Sequence, residues 1–125
     1  MKLQWNTGLV AHLGIEFLEV EPDRVVARLR LDERLVTVGG TVHGGTLMAF
    51  ADTVGAAGTV ANLAEGQRTA TLESKTNFIA GCRSGYVRAE ARPIHKGKRT
   101  HVWETRITDE AGKLLSVTTQ TQIIL

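Results

Sequence analysis

His43-Gly44-Gly45-Thr46-Leu47-Met48-Ala49-Phe50-Ala51-Asp52-Thr53-Val54-Gly55-Ala56-Ala57-Gly58-Thr59-Val60-Ala61-Asn62 is the stretch on which the fold turns. From Gly45 onward it has no proline, and its one formally charged side chain is Asp52. Apolar side chains recur on every side of a 3.6-residue period, which predicts a helix over 45–62 buried on most of its surface. Gly55 and Gly58 each cost helix propensity. The return expected for that cost is close approach to a neighbouring backbone, such as the same helix in a second copy of the chain. Glu65-Gly66 ends the segment.

Working outward, the flanks read as strands. Residues 7–13 allow a short helix or turn, and residues 14–21 form a strand closed by Pro22-Asp23. Val25, Ala27, Leu29 and Leu31 alternate with Val26, Arg28 and Arg30, a period of two with one apolar face. Residues 32–42 are irregular around Gly39-Gly40. After the helix, residues 69–78 are threonine-rich. Val87, Ala89 and Ala91 alternate with Arg88, Glu90 and Arg92, and Val102, Glu104 and Arg106 with Trp103, Thr105 and Ile107. Gly97 marks a tight turn, residues 109–112 a hairpin connection, and residues 115–124 a final strand. Two strands, one long helix and about four more strands make an α+β pattern. An antiparallel sheet of about six strands wrapped around the central helix accommodates it, one face packed and the other solvated.

A chain of 125 residues fits one domain spanning 1–125 and gains stability from pairing with a second copy. The 42% hydrophobic and 22% charged content is that of a globular protein. A net charge of +2 is too small for a nucleic-acid partner. The one cysteine, Cys82, excludes an intramolecular disulfide and fits a reducing compartment. Met1-Lys2-Leu3-Gln4-Trp5-Asn6 lacks the apolar core of a leader, and residues 47–63 are too short and too polar to span a bilayer. The expectation is a cytoplasmic protein without a membrane partner.

Asp52 is the most informative side chain. A carboxylate in an apolar helix is costly unless paired, hydrogen-bonded or functional. Thr46, Thr53, Thr59 and Asn62 do not share one face with it that would make a plain polar stripe. A catalytic carboxylate in a cleft is the functional reading, because burial tunes such a group as a base. Gly44-Gly45 begins the helix, where free N–H groups attract negative charge and the missing side chains allow close approach. That is the means of stabilising an oxyanion on a carbonyl. The eight residues from Gly44 to Asp52 span roughly 12 Å at ~1.5 Å per residue. Both groups must come within about 3–3.5 Å of one reacting carbonyl. One chain cannot supply both, whereas two antiparallel helices from two copies can. Gly44 of one copy and Asp52 of the other are therefore expected to meet at a two-fold interface, with Gly55, Ala56 and Gly58 permitting helix contact.

The segment His43-Gly44-Gly45 with an acid nine positions after the His resembles the hotdog-fold thioesterases. The similarity is greatest to the phenylacetate-degradation (PaaI-type) and 4-hydroxybenzoyl-CoA branch. Leu13-Gly14-Ile15, the stretch from Glu73 to Phe78, the stretch from Pro93 to Arg99, and Thr121-Gln122-Ile123-Ile124-Leu125 extend the resemblance over nearly the whole chain. It implies a hotdog fold, dimers and often dimers of dimers, and an acyl-CoA substrate with no separate cofactor. It assigns Asp52 as nucleophile or general base, the Gly44 N–H as carbonyl polariser, and His43 as the residue that fixes the loop. Gly45 falls in the same substrate-facing motif. Two positions depart from the pattern. Thr37 stands where many relatives carry Gln or Asn, and Ala56 where some place Ser or Thr. Thr71 matches a Ser of other members and is the candidate for the missing polar help.

His95-Lys96-Gly97-Lys98-Arg99 is a basic turn, and lysine and arginine suit the phosphates of coenzyme A. By the resemblance, His95, Gly97, Lys98 and Arg99 lie at the nucleotide end of the substrate. His12, His43, His95 and His101 have no metal-ligand spacing, so no metal is expected. No Gly-x-Ser-x-Gly elbow exists for serine chemistry. Trp5, Phe50, Phe78 and Trp103 are core, interface or acyl-pocket residues. The leading expectation is an acyl-CoA thioesterase acting on aryl, arylacetyl or medium-chain acyl groups. The alternatives are a hotdog hydratase or dehydratase and a non-catalytic acyl-CoA-binding module.

Overall fold

The fold is that of a computed structural model that describes residues 5–125. Of the N-terminal stretch read above for a leader, Met1–Gln4 lie outside the described residues. The elements are α1 (Gly8–Leu13), β1 (Glu16–Glu21), β2 (Arg24–Arg30), α2 (Gly44–Val60), β3 (Thr69–Phe78), β4 (Tyr86–Lys96), β5 (Thr100–Thr108) and β6 (Leu114–Ile124). All strand pairs are antiparallel, in the order β1-β2-β4-β5-β6-β3, and α2 packs across the sheet. This is the hotdog arrangement expected from the sequence. Among the described residues no helix is long and apolar enough to cross a membrane.

The period-two strands bury the side chains their alternation predicts. Val25, Ala27 and Leu29 of β2, Val87, Ala89 and Ala91 of β4, and Trp103 and Ile107 of β5 have no exposed surface. They pack on Leu47, Phe50, Ala51, Val54 and Ala57 of α2. Of the four aromatic side chains left unsorted, Phe50 and Trp103 are core, Phe78 is half-exposed, and Trp5 packs edge-on against Phe17.

Gly55 and Gly58 correct one expectation. Both are buried against their own sheet, not against a second helix. A Cβ on Gly58 would lie 2.5 Å from the Trp103 ring, and one on Gly55 would lie 2.3 Å from Gln120 Oε1. The two glycines let β5 and β6 carry large side chains directly beneath the helix. The period of α2 could not reveal this, because it does not show which neighbour fills each gap. The half-buried and exposed positions of α2 are Gly44, Gly45, Met48, Ala49, Asp52, Thr53, Ala56 and Val60. From Gly45 to Val60 they follow helical spacing and form one stripe that the chain's own sheet leaves uncovered.

Trp103 donates its indole N–H to Thr59 Oγ1 at 2.9 Å, and the same hydroxyl shares a hydrogen bond with His101 Nδ1 at 3.1 Å. Burial holds the His101 imidazole below the ordinary histidine value, and the nearby charges of Lys96 and His95 push the same way. The unfolded chain then binds more protons once the pH falls below about 6.5, so protonation favours unfolding. Thermal midpoints compared between pH 7.5 and pH 5 should fall further for the wild type than for His101→Gln. Equal falls would remove His101 from the acid sensitivity.

Candidate active site

The start of α2 is built from the loop before it. Gly40, at φ +87°, closes a tight turn in which the Gly40 N–H donates to the Thr37 carbonyl at 2.9 Å and the Thr37 N–H to the Thr41 carbonyl at 2.7 Å. The Thr37 hydroxyl accepts the Gly39 N–H at 3.2 Å, so this side chain is occupied in holding its own loop. The loop is tied down by the Val42 N–H donating to the Cys82 carbonyl and by Arg83 donating to the Gly39 carbonyl.

His43 is the N-cap of α2, and its Nδ1 accepts the Gly45 N–H at 2.7 Å. The N–H groups of Thr46 and Leu47 go to the His43 carbonyl. Leu47 makes the first regular helix bond, and the His43 N–H donates to the Leu35 carbonyl, so of the four orphan donors of the helix start, those of His43, Gly44, Gly45 and Thr46, one is left: the Gly44 N–H, which has no protein acceptor among the described residues. Gly44 opens onto a shallow cavity of about 370 Å³ lined by Val42, Leu47, Phe78, Ile79, Ala80 and Gly81. The Phe78 ring lies 3.1 Å from where a Gly44 Cβ would be, so only glycine fits without displacing it. A lone N–H at the positive end of α2, beside an apolar floor, can take the oxygen of a polarised carbonyl.

Asp52 sits mid-helix on the uncovered stripe and is half-buried. Its Oδ1 accepts the Thr71 hydroxyl at 2.6 Å and the Gln120 side-chain N–H at 3.2 Å. The same Gln120 nitrogen donates to the Asp52 backbone carbonyl at 3.1 Å. Oδ2 has no protein hydrogen-bond partner among the described residues. Ala56 lies one turn further along the stripe and offers no polar group.

A bulge in β3 sets this geometry. Thr71 pairs with Gln122, but Glu73 pairs with Thr121, so Leu72 is the extra residue. Without it, Thr71 would share a face with Glu73 and Lys75. With it, Thr71 points at Asp52, while Ser74, Thr76 and Phe78 regain the helix side, where Thr76 meets Thr118 and Phe78 covers Gly44. Bulges of this kind re-aim side chains next to functional sites. Sequence reasoning placed Thr71 at the site but missed Gln120 and Gln122.

The basic turn occupies another place. Residues 97–99 connect β4 to β5, and His95, Lys98 and Arg99 are exposed, with Gly97 half-buried. The Arg99 carbonyl accepts the Ile124 N–H, seating the turn on the end of β6. On the other side of that end, Arg68 exchanges two backbone hydrogen bonds with Leu125. Arg68 was not singled out from the sequence, yet it frames the same strand end as Arg99. Lys96 is already committed to Asp23 and Asn62. Beside Arg68 lies a cavity of about 570 Å³ lined by Val60, Leu63 and Thr69 among others. Among the described residues, no three His, Cys, Asp or Glu side chains group closely enough to hold a metal ion.

Within one chain the residues expected at the reacting carbonyl therefore fall into two groups, His43-Gly44-Gly45 and Asp52-Thr71, some 12 Å apart along α2 at ~1.5 Å per residue, with the basic turn a third, separate group.

Comparison with known proteins shows the family and the fold. A model of the thioesterase superfamily matches residues 39–116. The chain is 36% identical over 110 residues to a 1,4-dihydroxy-2-naphthoyl-CoA hydrolase of Listeria monocytogenes, covering 88% of this chain and 89% of that protein. It is 34% identical over 105 residues to the proofreading thioesterase EntH of Klebsiella pneumoniae, covering 84% and 77%. A crystal structure of a Haemophilus influenzae thioesterase superposes with a TM-score of 0.90 at 34% identity, covering 94% of this chain and 82% of that one.

Proposed function

This chain belongs to the thioesterase superfamily and is a thioester hydrolase, and from that premise we propose that it cleaves acyl-CoA to a free acid and coenzyme A. The carbonyl oxygen of the thioester accepts the Gly44 N–H of one copy. Asp52 of a second copy either adds to the carbonyl carbon or removes a proton from the water that does. If water adds, the carbon–sulfur bond breaks, the acyl carbon keeps the water oxygen, and sulfur leaves with the electron pair and takes up the proton that Asp52 removed. If Asp52 adds, the same bond breaks to leave a mixed anhydride between the acyl group and Asp52, which a water then hydrolyses to the free acid and the restored carboxylate. No cofactor is needed, because coenzyme A is part of the substrate.

The observation that carries this reading is Asp52 itself. It is the one carboxylate on the uncovered stripe of α2, with one oxygen held and the other open. Two-copy assembly follows from the 12 Å spacing at ~1.5 Å per residue and from the surface around it. Met48, Ala49, Ala56 and Val60 leave an apolar stripe, and β3 is an edge strand whose Leu72 and Phe78, with Ile79 just past its end, are each more than half exposed. Such an edge is a template for pairing with a second copy. In this reading Thr71 serves Asp52, Thr37 serves the loop, and His43 orders the donors of the helix start.

The phosphates of coenzyme A are assigned to the end of β6, where Arg68, Lys98 and Arg99 gather with His95 and Gly97. The acyl group is aryl, arylacetyl or medium-chain. Thiol release measured on a panel of such acyl-CoAs tests the proposal. Binding without release would favour a binding module, and water addition to an enoyl-CoA a hydratase. On the preferred substrate, Arg99→Ala should raise KM several-fold while kcat stays within about twofold, and the KM effect should shrink with salt. An unchanged KM would take Arg99 out of the site.

A further inference from the structure

Behind Asp52 lies a chain of polar groups, running from the exposed Thr71 to the buried Gln122, that its proposed role does not itself require. Thr69 Oγ1 donates to Gln122 Oε1 at 3.0 Å, Gln122 Nε2 to Thr71 Oγ1 at 2.6 Å, and Thr71 Oγ1 to Asp52 Oδ1 at 2.6 Å. Gln122 and Gln120 have no exposed surface. Two amides this deep, facing a helix, displace apolar packing and persist only with a purpose or full satisfaction.

Each link fixes the direction of the next. A hydroxyl has one proton, and Thr69 places its own on Gln122 Oε1 and the Ile123 carbonyl. That turns the amide of Gln122 so that its N–H faces Thr71. Thr71 Oγ1, having accepted that N–H, has its proton left for Asp52. Gln120 is oriented independently. Its N–H reaches both the backbone carbonyl and Oδ1 of Asp52, so the flipped amide would set oxygen against two acceptors. Its own Oε1 is buried without a partner, against the bare Cα of Gly55. Both donors converge on Oδ1.

We infer that Gln122 and Gln120 are positioning residues that, through Thr71 and directly, hold Asp52 by Oδ1 alone and leave Oδ2 as the reacting oxygen. Neither touches the substrate. They fix the carboxylate's rotamer and which of its two oxygens is open, whether Oδ2 attacks carbon or accepts a proton from water. The inference rests on Asp52 being the catalytic acid residue.

The test is a double-mutant cycle read in steady-state thiol release, with thermal melting as the check on folding. Thr71→Val keeps shape on an exposed edge position and should lower kcat about 10- to 100-fold with KM within twofold. Thr71→Ser should restore most of it. Gln122→Leu should lower kcat in the same sense. Combined with Thr71→Val it should add nothing, because it acts through that hydroxyl. If Gln122→Leu does not fold, Thr69→Val removes the donor that orients Gln122, and the same comparison applies. Wild-type kcat in Thr71→Val, or additive losses in the double variant, would overturn the inference. Asp52→Asn distinguishes the two levels. Wild-type turnover in that variant refutes the catalytic reading itself, whereas inactive Asp52→Asn with an unaffected Thr71→Val refutes only the positioning.

Discussion

Asp52→Asn should lose about 10²- to 10⁴-fold in kcat, the range contributed by a positioned acid–base group. The substitution is nearly isosteric, and the amide oxygen can still accept from Thr71 and Gln120, so both contacts at Oδ1 persist. What changes is the other position, where an N–H2 replaces the open oxygen and can neither add to a carbonyl carbon nor take a proton. The thermal midpoint should move by no more than about 4 °C, and KM should hold near its wild-type value. Steady-state thiol release and a melting curve on the same preparation suffice. Turnover close to wild type would end the catalytic reading of Asp52.

The second large effect concerns Gly44. Gly44→Pro removes the one N–H assigned to the carbonyl oxygen, at a position where proline suits helix geometry. Gly44 is the first residue of α2, and His43 before it has φ −68° and ψ 136°, the extended backbone that a following proline requires. The new Cβ would lie 3.1 Å from Phe78, so the ring must give by a few tenths of an ångström, a shift that Gly44→Ala, which keeps the N–H, reproduces as a control. Loss of a single oxyanion donor typically costs about 10²- to 10³-fold in kcat. The two variants together test the shared site. In a mixed dimer, the Asp52→Asn copy supplies an intact Gly44 and the Gly44→Pro copy an intact Asp52, so one of the two sites is whole. Random reassembly of equal amounts should recover about a quarter of wild-type activity from two inactive parents, given a symmetric dimer. No recovery, with mixed dimers demonstrated, would place both groups of each site in one chain.

Much of the fold and of the candidate site is legible in the sequence. The six strands and α2 follow from period-two and period-3.6 patterns whose apolar members are the buried ones, as with Val25, Ala27 and Leu29. His43, Gly44 and Asp52 stood out because charge and glycine are conspicuous in an apolar helix. The support for Asp52 was hidden for a definite reason. Along β6, Ser116, Thr118, Gln120 and Gln122 face the helix, while Thr119 and Thr121 on the other face are polar too. With both faces polar, alternation cannot say which is inside. The bulge at Leu72 was equally silent, since one extra residue leaves no mark on composition yet reverses the face of Thr71. Gly55 and Gly58 were expected to meet a neighbouring backbone, but what fills their gaps is the side chains of Gln120 on β6 and Trp103 on β5, remote in sequence.

Strand order also dictates when the site comes into being. β3 precedes β4, β5 and β6 in the chain but pairs only with β6, and Thr71 lies 51 residues from the Gln122 that orients it. At ribosomal rates of ~5–20 residues per second, Thr71 waits roughly 3–10 s for its partner to be synthesised. Through that interval β3 has neither neighbour, and Leu72 and Ile79 travel on an unpaired ribbon exposed to other nascent chains. The growing chain can close β1, β2, β4 and β5 against the helix, yet Asp52 still lacks both glutamines. The last strand to join the sheet thus completes the support of Asp52, and the vulnerable stage of biogenesis ends as that support forms.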